Sequence, residues 1–581
     1  MFSKHYQNEL AFLRAAGKAY AEANPSTAGL LADRGSDPDV ERLLEGFAFL
    51  AARIRERIDD AVPEVVHDLT ELLLPHFLRP VPASTIVEMT PTSRSLRSRV
   101  VVPAGTEIAS VPVDGTSCRF RTTADLDLLP ASVTDVALDH SNSSSPRVRV
   151  QLQAAPQALP ALLDAAGLRL FVHGEFPLAS TVMLWFARHL RGVRVNGLAT
   201  GRSVALPASA VRLVGLEPEL ALLPWPRLAP QGYRLLQEYF TLPQKMLFLE
   251  IRGLDRARDI VADHFELAFE FERPPELPSR LGKEAFRTNC VPAVNLFRTS
   301  GEPVSVRAFA EEHLVRAVEA PPAHMEIHTV DGVIGVPEGP GERTQYEPFV
   351  GFRHAQGGKG SRYYRLRRTL SPVDGGLDTF ISVARPLDGV GGMDPQTLSL
   401  EVLATNRGLP ARLKLGDVSQ PTATSPTIAS FRNITPVSQP VTPPLGTELH
   451  WRLMSHLAAN RASIATAEEL RALLGLYNLQ LLSDQQSGRS NQLRVESIRG
   501  VEAILSRRLI SGAPARGTRL TLTVDEAGFA GLGDAFLFGC AVDELIAAQA
   551  SLSSFVELTL RAEPSLREFA WPPRNGKKAL L

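Results

Sequence analysis

Apolar residues recur at helical spacing between Asp37 and Asp60. Asp37 is suited to cap a helix N-terminus, and Pro38 occupies the first helical position, where its missing N–H costs nothing. Spacings of three and four residues place the apolar side chains on one face, the apolar stripe, which consists of Val40, Leu43, Leu44, Phe47, Leu50, Ala51, Ile54 and Ile58. We expect this stripe to close a helical bundle within the chain through Leu43, Phe47, Leu50 and Ile54.

Phe49 lies on the opposite, charged face of the same predicted helix, because each residue turns the helix by about 100°. The charged residues around it are Arg42, Glu45, Arg53, Glu56 and Asp60. A phenylalanine on a charged face is covered either by a second layer of this chain or by a partner protein. Our candidate partner interface consists of Phe49 together with Arg42, Glu45, Arg53 and Glu56.

The remainder of residues 1–83 also has helical spacing. A first stripe contains Tyr6, Leu10 and Leu13, and a further helix is predicted to start at Pro63 and to be kinked at Pro75. The short connections between these helices favour a compact bundle.

From Ser84 onward the apolar period changes to two, which is typical of strands. Proline and glycine turns separate many short strands, and helices are predicted at Leu178–Leu190, Gly232–Phe240, Ala467–Leu476 and Asp534–Ala548. The segment 408–446 is rich in Pro, Ser and Thr and is predicted to be an extended connector.

These patterns predict a multidomain α+β chain. The predicted parts are an N-terminal helical bundle at 1–83, β-rich domains at 84–230 and 231–407, the connector at 408–446, and a mixed α/β C-terminal domain at 447–581.

Composition limits the function classes. The net charge is −1 over 581 residues, so no overall field attracts nucleic acid or anionic membranes. Three widely separated cysteines indicate neither a disulfide framework nor a metal knuckle. With no apolar leader and no long uncharged apolar run, the sequence predicts a cytoplasmic protein without direct membrane insertion.

The motifs that suggest chemistry are weak. The glycine cluster at 357–361 lacks the spacing of a phosphate loop, and Gly201–Ala205 lacks the strand and helix that flank a nucleophile elbow. His324 and His328 share a spacing of four, but flanking Pro and Gly residues predict a strand with two partly exposed histidines. We therefore predict no catalytic, cofactor or metal site.

Two other functional classes stay open on the residues alone. The run Arg362–Arg368 interleaves aromatic and basic residues, which single-stranded nucleic acid could use, although a protein-contact strand fits a neutral chain better. Carboxylates from distant strands could also form the active site of a β-rich cytoplasmic hydrolase, which is the alternative function.

A series of motifs along the chain resembles the TssF family of type VI secretion baseplate proteins, also called VasA or ImpG. The N-terminal part of the resemblance is carried by Glu41, Arg42, Leu43 and Phe47 within VERLLEGFAFL. Later motifs are PAGT with CRFRT at Cys118–Thr122, YFTLP at Tyr239–Pro243, CVPAVNLF at Cys290–Phe297, TNRGLP at Thr405–Pro410, and Trp451. The residues of the two central signatures are Cys290, Pro292, Asn295, Leu296, Phe297, Thr405, Asn406, Arg407 and Pro410.

The resemblance implies a structural function. Proteins of this family build baseplate wedges with TssG, usually two copies of TssF with one TssG, and the wedge also engages TssK and TssE around the VgrG hub, where tube and sheath assembly begins. The implied partners are TssG, TssK, TssE, the VgrG hub and a second copy of the chain, with no cofactor. The implied location is a cytoplasmic baseplate docked at the inner membrane through other proteins.

Asn295 and Asn406 are polar residues within the two apolar central signatures. We expect both side chains to hydrogen-bond to backbone groups at tight turns, because amides in apolar segments need such partners. Contact with a partner protein is the alternative.

Overall fold

The computed structural model confirms a mixed α+β chain and divides it into two compact units. One unit contains Met1–Leu74 and Gly446–Leu453, and the other contains Pro75–Leu445 and Met454–Leu581. The residues whose structure is described are 6, 10, 11, 13, 14, 16, 38–92, 99–139, 146–154, 159–163, 167–225, 229, 231–272, 281–307, 309, 311–349, 362–371, 375–384, 395–445, 451, 452, 455, 465–510, 513–551 and 554–576.

One long helix, α1 (Pro38–Leu73), lies in the first unit. The prediction of a new helix at Pro63 is wrong, because the backbone is helical through that position. A proline removes one intrahelical donor without always ending the helix. The predicted kink at Pro75 is also wrong, since α1 ends at Leu73 and Pro75–Phe77 forms a separate 3₁₀ turn.

Three residues of the apolar stripe of α1 are exposed to solvent in this chain. Leu43, Phe47 and Leu50 are 73%, 62% and 60% exposed. The prediction that they form the core of the chain's own bundle is therefore wrong, and the bundle arrangement of residues 1–83 is not confirmed. Periodicity identifies the apolar face of a helix but not the molecule that covers it. The side chain of Ile54 lies outside the described residues.

Six further helices are described in the second unit. They are α2 (Leu159–Leu163), α3 (Phe176–Arg188), α4 (Gln231–Thr241), α5 (Ala467–Gly475), α6 (Gln485–Glu496) and α7 (Leu532–Gln549). The mostly buried α7 packs against α3 and α4. Two glycines allow this close approach, because a Cβ at Gly533 would lie 2.2 Å from the Ser180 carbonyl carbon and one at Gly232 would lie 2.6 Å from the Leu545 Cα.

Strands make up most of the rest of the second unit. The first fifteen are β1 (Ser84–Pro91), β2 (Val100–Val102), β3 (Glu107–Val113), β4 (Thr116–Thr122), β5 (Leu126–Leu128), β6 (Ala131–Asp139), β7 (Arg147–Ala154), β8 (Leu168–Val172), β9 (Leu190–Gly197), β10 (Ser203–Pro207), β11 (Val211–Leu213), β12 (Phe248–Ile251), β13 (His264–Phe271), β14 (Phe286–Arg287) and β15 (Cys290–Val294).

The later strands are β16 (Phe297–Ser300), β17 (Val304–Val306), β18 (His313–Leu314), β19 (Glu326–Pro337), β20 (Thr344–Pro348), β21 (Arg362–Leu370), β22 (Leu377–Val383), β23 (Gln396–Thr405), β24 (Gln420–Pro421), β25 (Ala429–Asn433), β26 (Ile498–Ile510), β27 (Ala513–Asp525), β28 (Ser554–Glu563), β29 (Arg567–Ala570) and β30 (Arg574–Asn575).

Five larger sheets and one strand pair, β2–β5, organise these strands. The first sheet has the order β24-β3-β4-β15-β1-β25, the second β10-β9-β13-β7-β6, and the third β11-β12-β8-β14. The fourth runs β16-β23-β19-β20-β21-β22-β18, with β17 on β23, and its core is rich in valine. The fifth runs β26-β27-β28-β29, with β30 on β28 and with β27 and β28 parallel.

The segment 408–446 contributes to the first sheet. Its strands β24 and β25 pair with β3 and β1, so the expectation of a plain extended connector is wrong. Both are edge strands, and their sequence did not indicate them, because both residues of the two-residue β24 and two of the five residues of β25 are exposed. The predicted domain bounds themselves stay predictions.

Candidate functional site

Where the structure describes them, the residues of the suggested chemical motifs lie in ordinary strands and turns. Ser203 begins the extended strand β10, and the glycine cluster at 357–361 lies outside the described residues. His324 ends a 3₁₀ turn and hydrogen-bonds to the Thr116 hydroxyl at 2.8 Å, whereas His328 is buried in β19. The expectation of two partly exposed strand histidines is thus wrong. Burial, with Arg79, Arg368 and Arg121 nearby, lowers the pKa of His328 well below its usual value.

The aromatic and basic run at Arg362–Arg368 forms β21, an interior strand between β20 and β22. Two of its arginines have partners that the structure shows. Arg367 donates to both carboxylate oxygens of Glu312, at 2.7 and 2.5 Å, and the guanidinium of Arg365 lies 4.2 Å from the centre of the Phe349 ring. These contacts leave less of the run for a nucleic acid to use.

Among the described residues, no three His, Cys, Asp or Glu side chains are grouped as metal ligands. Cys118, Cys290 and Cys540 are buried and unpaired. Burial raises the pKa of the Cys118 thiol to about 11 and that of Cys540 to about 12, and it also raises the pKa of Cys290. These thiols are therefore protonated near neutral pH and are poor nucleophiles. The described helices include none long and apolar enough to cross a membrane.

The two central signatures meet at the junction of the first and fourth sheets. Asn295 follows β15, and Asn406 follows β23. Asn295 donates from Nδ2 to the Oδ1 of Asn406 at 2.8 Å and accepts at its own Oδ1 from the backbone N–H of Asn406, also at 2.8 Å. Both side chains are buried.

Arg119 in β4 completes this asparagine junction through its backbone. Its carbonyl accepts from Asn295 Nδ2 at 2.7 Å, and its N–H donates to Asn406 Oδ1 at 2.9 Å. Its guanidinium lies 4.6 Å from the Phe297 ring centre and pairs with Glu107 at 2.6 Å and with Glu319. The prediction that both asparagines bind backbone groups is confirmed. Arg119 lies within the CRFRT motif, but its part in this junction was not predicted.

The other signature residues shape the same junction. Cys290, Pro292, Leu296 and Phe297 are buried in or beside β15 and β16. Arg407 has φ +50°, and its N–H donates to the Thr405 hydroxyl at 3.2 Å, which turns the chain sharply after β23. The buried Pro410 lies in the 3₁₀ turn that follows, Leu409–Arg412. Thr405–Pro410 therefore forms a fixed corner.

A buried ion cluster lies in and after α4. The carboxylate of Glu238 accepts from Arg234 and Lys245 at 2.7 Å each, and from the backbone N–H of Leu222 at 2.7 Å. Burial alone would raise the pKa of Glu238, but the attraction of Lys245 and Arg234 outweighs it and lowers the pKa. The spacing of four between Arg234 and Glu238 was a possible signal, although Lys245 was not foreseeable.

A second buried network joins α4 to the C-terminal helices. Tyr239 donates to Asp534 at 2.5 Å, and Arg494 donates to the other oxygen of the same carboxylate at 2.9 Å. Asn491 Nδ2 then donates to the carbonyl of Phe240 at 3.0 Å. Tyr239 and Phe240 belong to the YFTLP motif, so this motif fixes the position of α6 and α7.

The candidate partner interface lies on α1 in the first unit. Arg42 and Glu45 are exposed, and Phe49 is 45% exposed. Arg42 forms a loose ion pair with Asp39 at 3.6 Å. The side chains of Glu41, Arg53 and Glu56 lie outside the described residues. Exposed apolar residues on both faces of α1, together with the exposed Trp451 of the same unit, fit a protein-binding surface.

Comparisons with known proteins agree along the chain. The family model described as "Type VI secretion system, TssF" matches residues 1–578. The chain is 30% identical to the type VI secretion system component TssF1 of Pseudomonas aeruginosa, covering 100% of this chain and 99% of that protein.

Two solved structures are also similar. A chain of the TssK-TssF-TssG baseplate subcomplex of the type VI secretion system has 29% identity and a TM-score of 0.75, covering 92% of this chain and 99% of that one. A chain of the baseplate complex from the type VI secretion system has 26% identity and a TM-score of 0.63, covering all of both chains.

Proposed function

This chain belongs to the TssF family of the type VI secretion system, and we propose that it is a structural baseplate subunit. It acts by binding other subunits and not by catalysis. The three exposed residues of the apolar stripe of α1 carry the proposal. Leu43, Phe47 and Leu50 are separated by four and three residues, the spacing with which one helix packs against another.

Exposed apolar side chains on one helix face favour association with a partner that covers them. Fully burying one Leu or Phe side chain contributes on the order of 1.5–3 kcal/mol, so three such residues supply a substantial part of a binding free energy. The charged residues on the other face, including Arg42 and Glu45, then set the orientation of the partner rather than its affinity.

The proposed partners form two groups. The similar chain from the TssK-TssF-TssG subcomplex supports counterparts of TssG and TssK as binding partners. Binding to TssE, to the VgrG hub and to a second copy of the chain is part of the same proposal and rests on the family resemblance. The assembled baseplate would lie in the cytoplasm and reach the inner membrane through other proteins.

Co-purification tests the proposal. The full chain is co-expressed with the TssG and TssK counterparts of its own organism, and the complex is measured by size-exclusion chromatography with light scattering. We expect a stable complex that is lost in the double variant Leu43→Ser with Leu50→Ser. The matched control is Leu198→Ser, a leucine that is 48% exposed in the second unit. A chain that stays monomeric with both partners, or that turns over a polysaccharide substrate, contradicts the proposal.

A further inference from the structure

The hairpin formed by β26 and β27 extends beyond the core of the second unit. At its base, Ile498 is buried, and α5 and α6 pack close to β26. Further along, the four consecutive residues Glu502–Leu505 are all exposed. Because successive side chains of a strand point to opposite faces, both faces of the distal half of β26 are open.

β26 is also the edge strand of the fifth sheet. It pairs with β27, and among the described residues no other strand pairs with it. An edge strand presents a row of backbone N–H and C=O groups that another extended chain can bind. Here Ile504 is 58% exposed on one face and Leu505 is 83% exposed on the other. An added strand would therefore gain backbone hydrogen bonds and an apolar contact on each face.

The charges of the hairpin indicate what kind of strand fits. Arg507 lies directly opposite Arg516 in the β26–β27 register, and both are exposed. Like charges directly opposite each other are unfavourable. Within the described part of the chain, neither guanidinium has a carboxylate partner, and Glu502 lies on the other face of β26.

The neighbouring arginines of the hairpin have carboxylate partners. Arg508 donates to both carboxylate oxygens of Glu557 at 2.8 Å, Arg519 reaches the same carboxylate at 3.3 Å, and Arg499 pairs with Asp525. Among the described residues, Arg507 and Arg516 are therefore the arginines of this hairpin that have no carboxylate partner, and they lie at the distal end of the open edge.

We propose that the distal half of β26 binds an extended acidic segment of a partner protein by strand addition. The segment continues the fifth sheet beyond β26, with a carboxylate beside Arg507, on the sheet face that Arg507 shares with Arg516 of β27, and with small or apolar residues beside Ile504 and Leu505. This surface belongs to the second unit and α1 to the first, so the two proposals rest on different residues and are tested independently.

Hydrogen exchange of the full chain tests this directly. The probes are two acetylated peptides with the same strand pattern, TVEVTVEVT and TVKVTVKVT. We expect the acidic peptide to slow exchange of the backbone amides within 502–508, and the basic peptide to bind about tenfold more weakly, because two favourable charge contacts become repulsive. Fluorescence anisotropy of the labelled peptides gives the affinities.

Variants make the test specific. Arg507→Glu with Arg516→Glu should reverse the preference between the two peptides, whereas Arg202→Glu, an exposed arginine of the second sheet's turn, should leave it unchanged. Circular dichroism and the thermal midpoint establish that each variant is folded. The proposal is overturned if neither peptide protects 502–508, if both bind equally, or if protection appears without peptide as protein concentration rises, which would assign the edge to a second copy of this chain.

Discussion

Asn295 and Asn406 form two hydrogen bonds with each other. The Nδ2 group of Asn295 donates to Oδ1 of Asn406, and Oδ1 of Asn295 accepts from the backbone N–H of Asn406. The two residues are 111 positions apart in the sequence. Their contact joins the turn after β15 to the turn after β23, and through Arg119 it also includes β4.

The direction of these bonds predicts an asymmetry between two isosteric changes. The Nδ2 group of Asn295 donates to the carbonyl of Arg119 and to Oδ1 of Asn406, and Asn295→Asp replaces this donor with a carboxylate oxygen. In contrast, Asn406→Asp keeps the side-chain oxygen that accepts from Asn295 and from the backbone N–H of Arg119. We expect Asn295→Asp to lower the free energy of unfolding by about 2–4 kcal/mol, the cost of lost bonds and buried charge, and Asn406→Asp to cost clearly less. Chemical denaturation measures both, with Asn575→Ala, an exposed asparagine, as the control. Equal losses from the two aspartates would contradict this bond direction.

Removing the charge of Glu238 should be strongly destabilising. Glu238→Gln leaves Lys245 and Arg234 buried without their carboxylate, which costs about 3–5 kcal/mol for a buried pair. The exposed Glu219→Gln serves as the control and should leave the thermal midpoint unchanged. A Glu238→Gln protein as stable as the parent chain would show that the ion cluster contributes nothing.

The same carboxylate predicts a pH dependence. The pKa of Glu238 is lowered in the folded chain, so its contribution to stability is complete above the ordinary carboxyl pKa of about 4.3 and is lost as the pH falls below that value. The thermal midpoint of the parent chain should therefore decrease more steeply below this pH than that of Glu238→Gln. Differential scanning calorimetry across this pH range gives the two slopes, and parallel slopes would contradict the prediction.

The thiols should be unreactive in the native chain. Burial and the raised pKa values of Cys118, Cys290 and Cys540 keep them protonated and inaccessible at pH 8. We expect a disulfide reagent such as Ellman's reagent to modify them slowly in buffer and rapidly in guanidinium. Fast modification of any one of them in buffer would indicate that its surroundings open easily.

A charge at Phe47 should affect binding and not folding. Phe47 is 62% exposed, so Phe47→Asp is expected to leave the circular dichroism spectrum and thermal midpoint unchanged while weakening the complex with the TssG counterpart by at least about tenfold. Phe49→Asp tests the original candidate face in the same way. If only Phe49→Asp weakens the complex, the charged face is the interface and the apolar stripe is not.

Local patterns predicted many elements well. The helices α3, α4, α5 and α7 agree with their apolar spacing, and the family was identifiable from ordered motifs. α6 was missed because its sequence is polar; its signal was Asp484, whose side chain accepts from the N–H groups of Gln486 and Ser487. β26 was missed because a strand with two exposed faces has no alternation of apolar and polar residues.

The candidate site could likewise be predicted from the sequence only in part. Both central signatures and both asparagines could be found in the sequence, but their contact depends on two turns brought together by different sheets. The exposure of Leu43 and Phe47 could not be predicted from local spacing either, because an apolar face has the same period whether its own chain or another protein covers it. Arg119 contributes mainly through backbone atoms, which every residue has, so its side chain gave no indication of its role.

The pairing of β25 with β1 has a consequence for synthesis. Thr85 binds Thr435, a residue 350 positions later, and β24 closes the other edge of the same sheet. While the chain emerges from the ribosome, β1 and β3 therefore cannot form these strand pairs until residues 420–435 have been made. A fragment that stops before this segment would leave the backbone groups of two strand edges unpaired. The first sheet is therefore complete only after most of the protein has been translated.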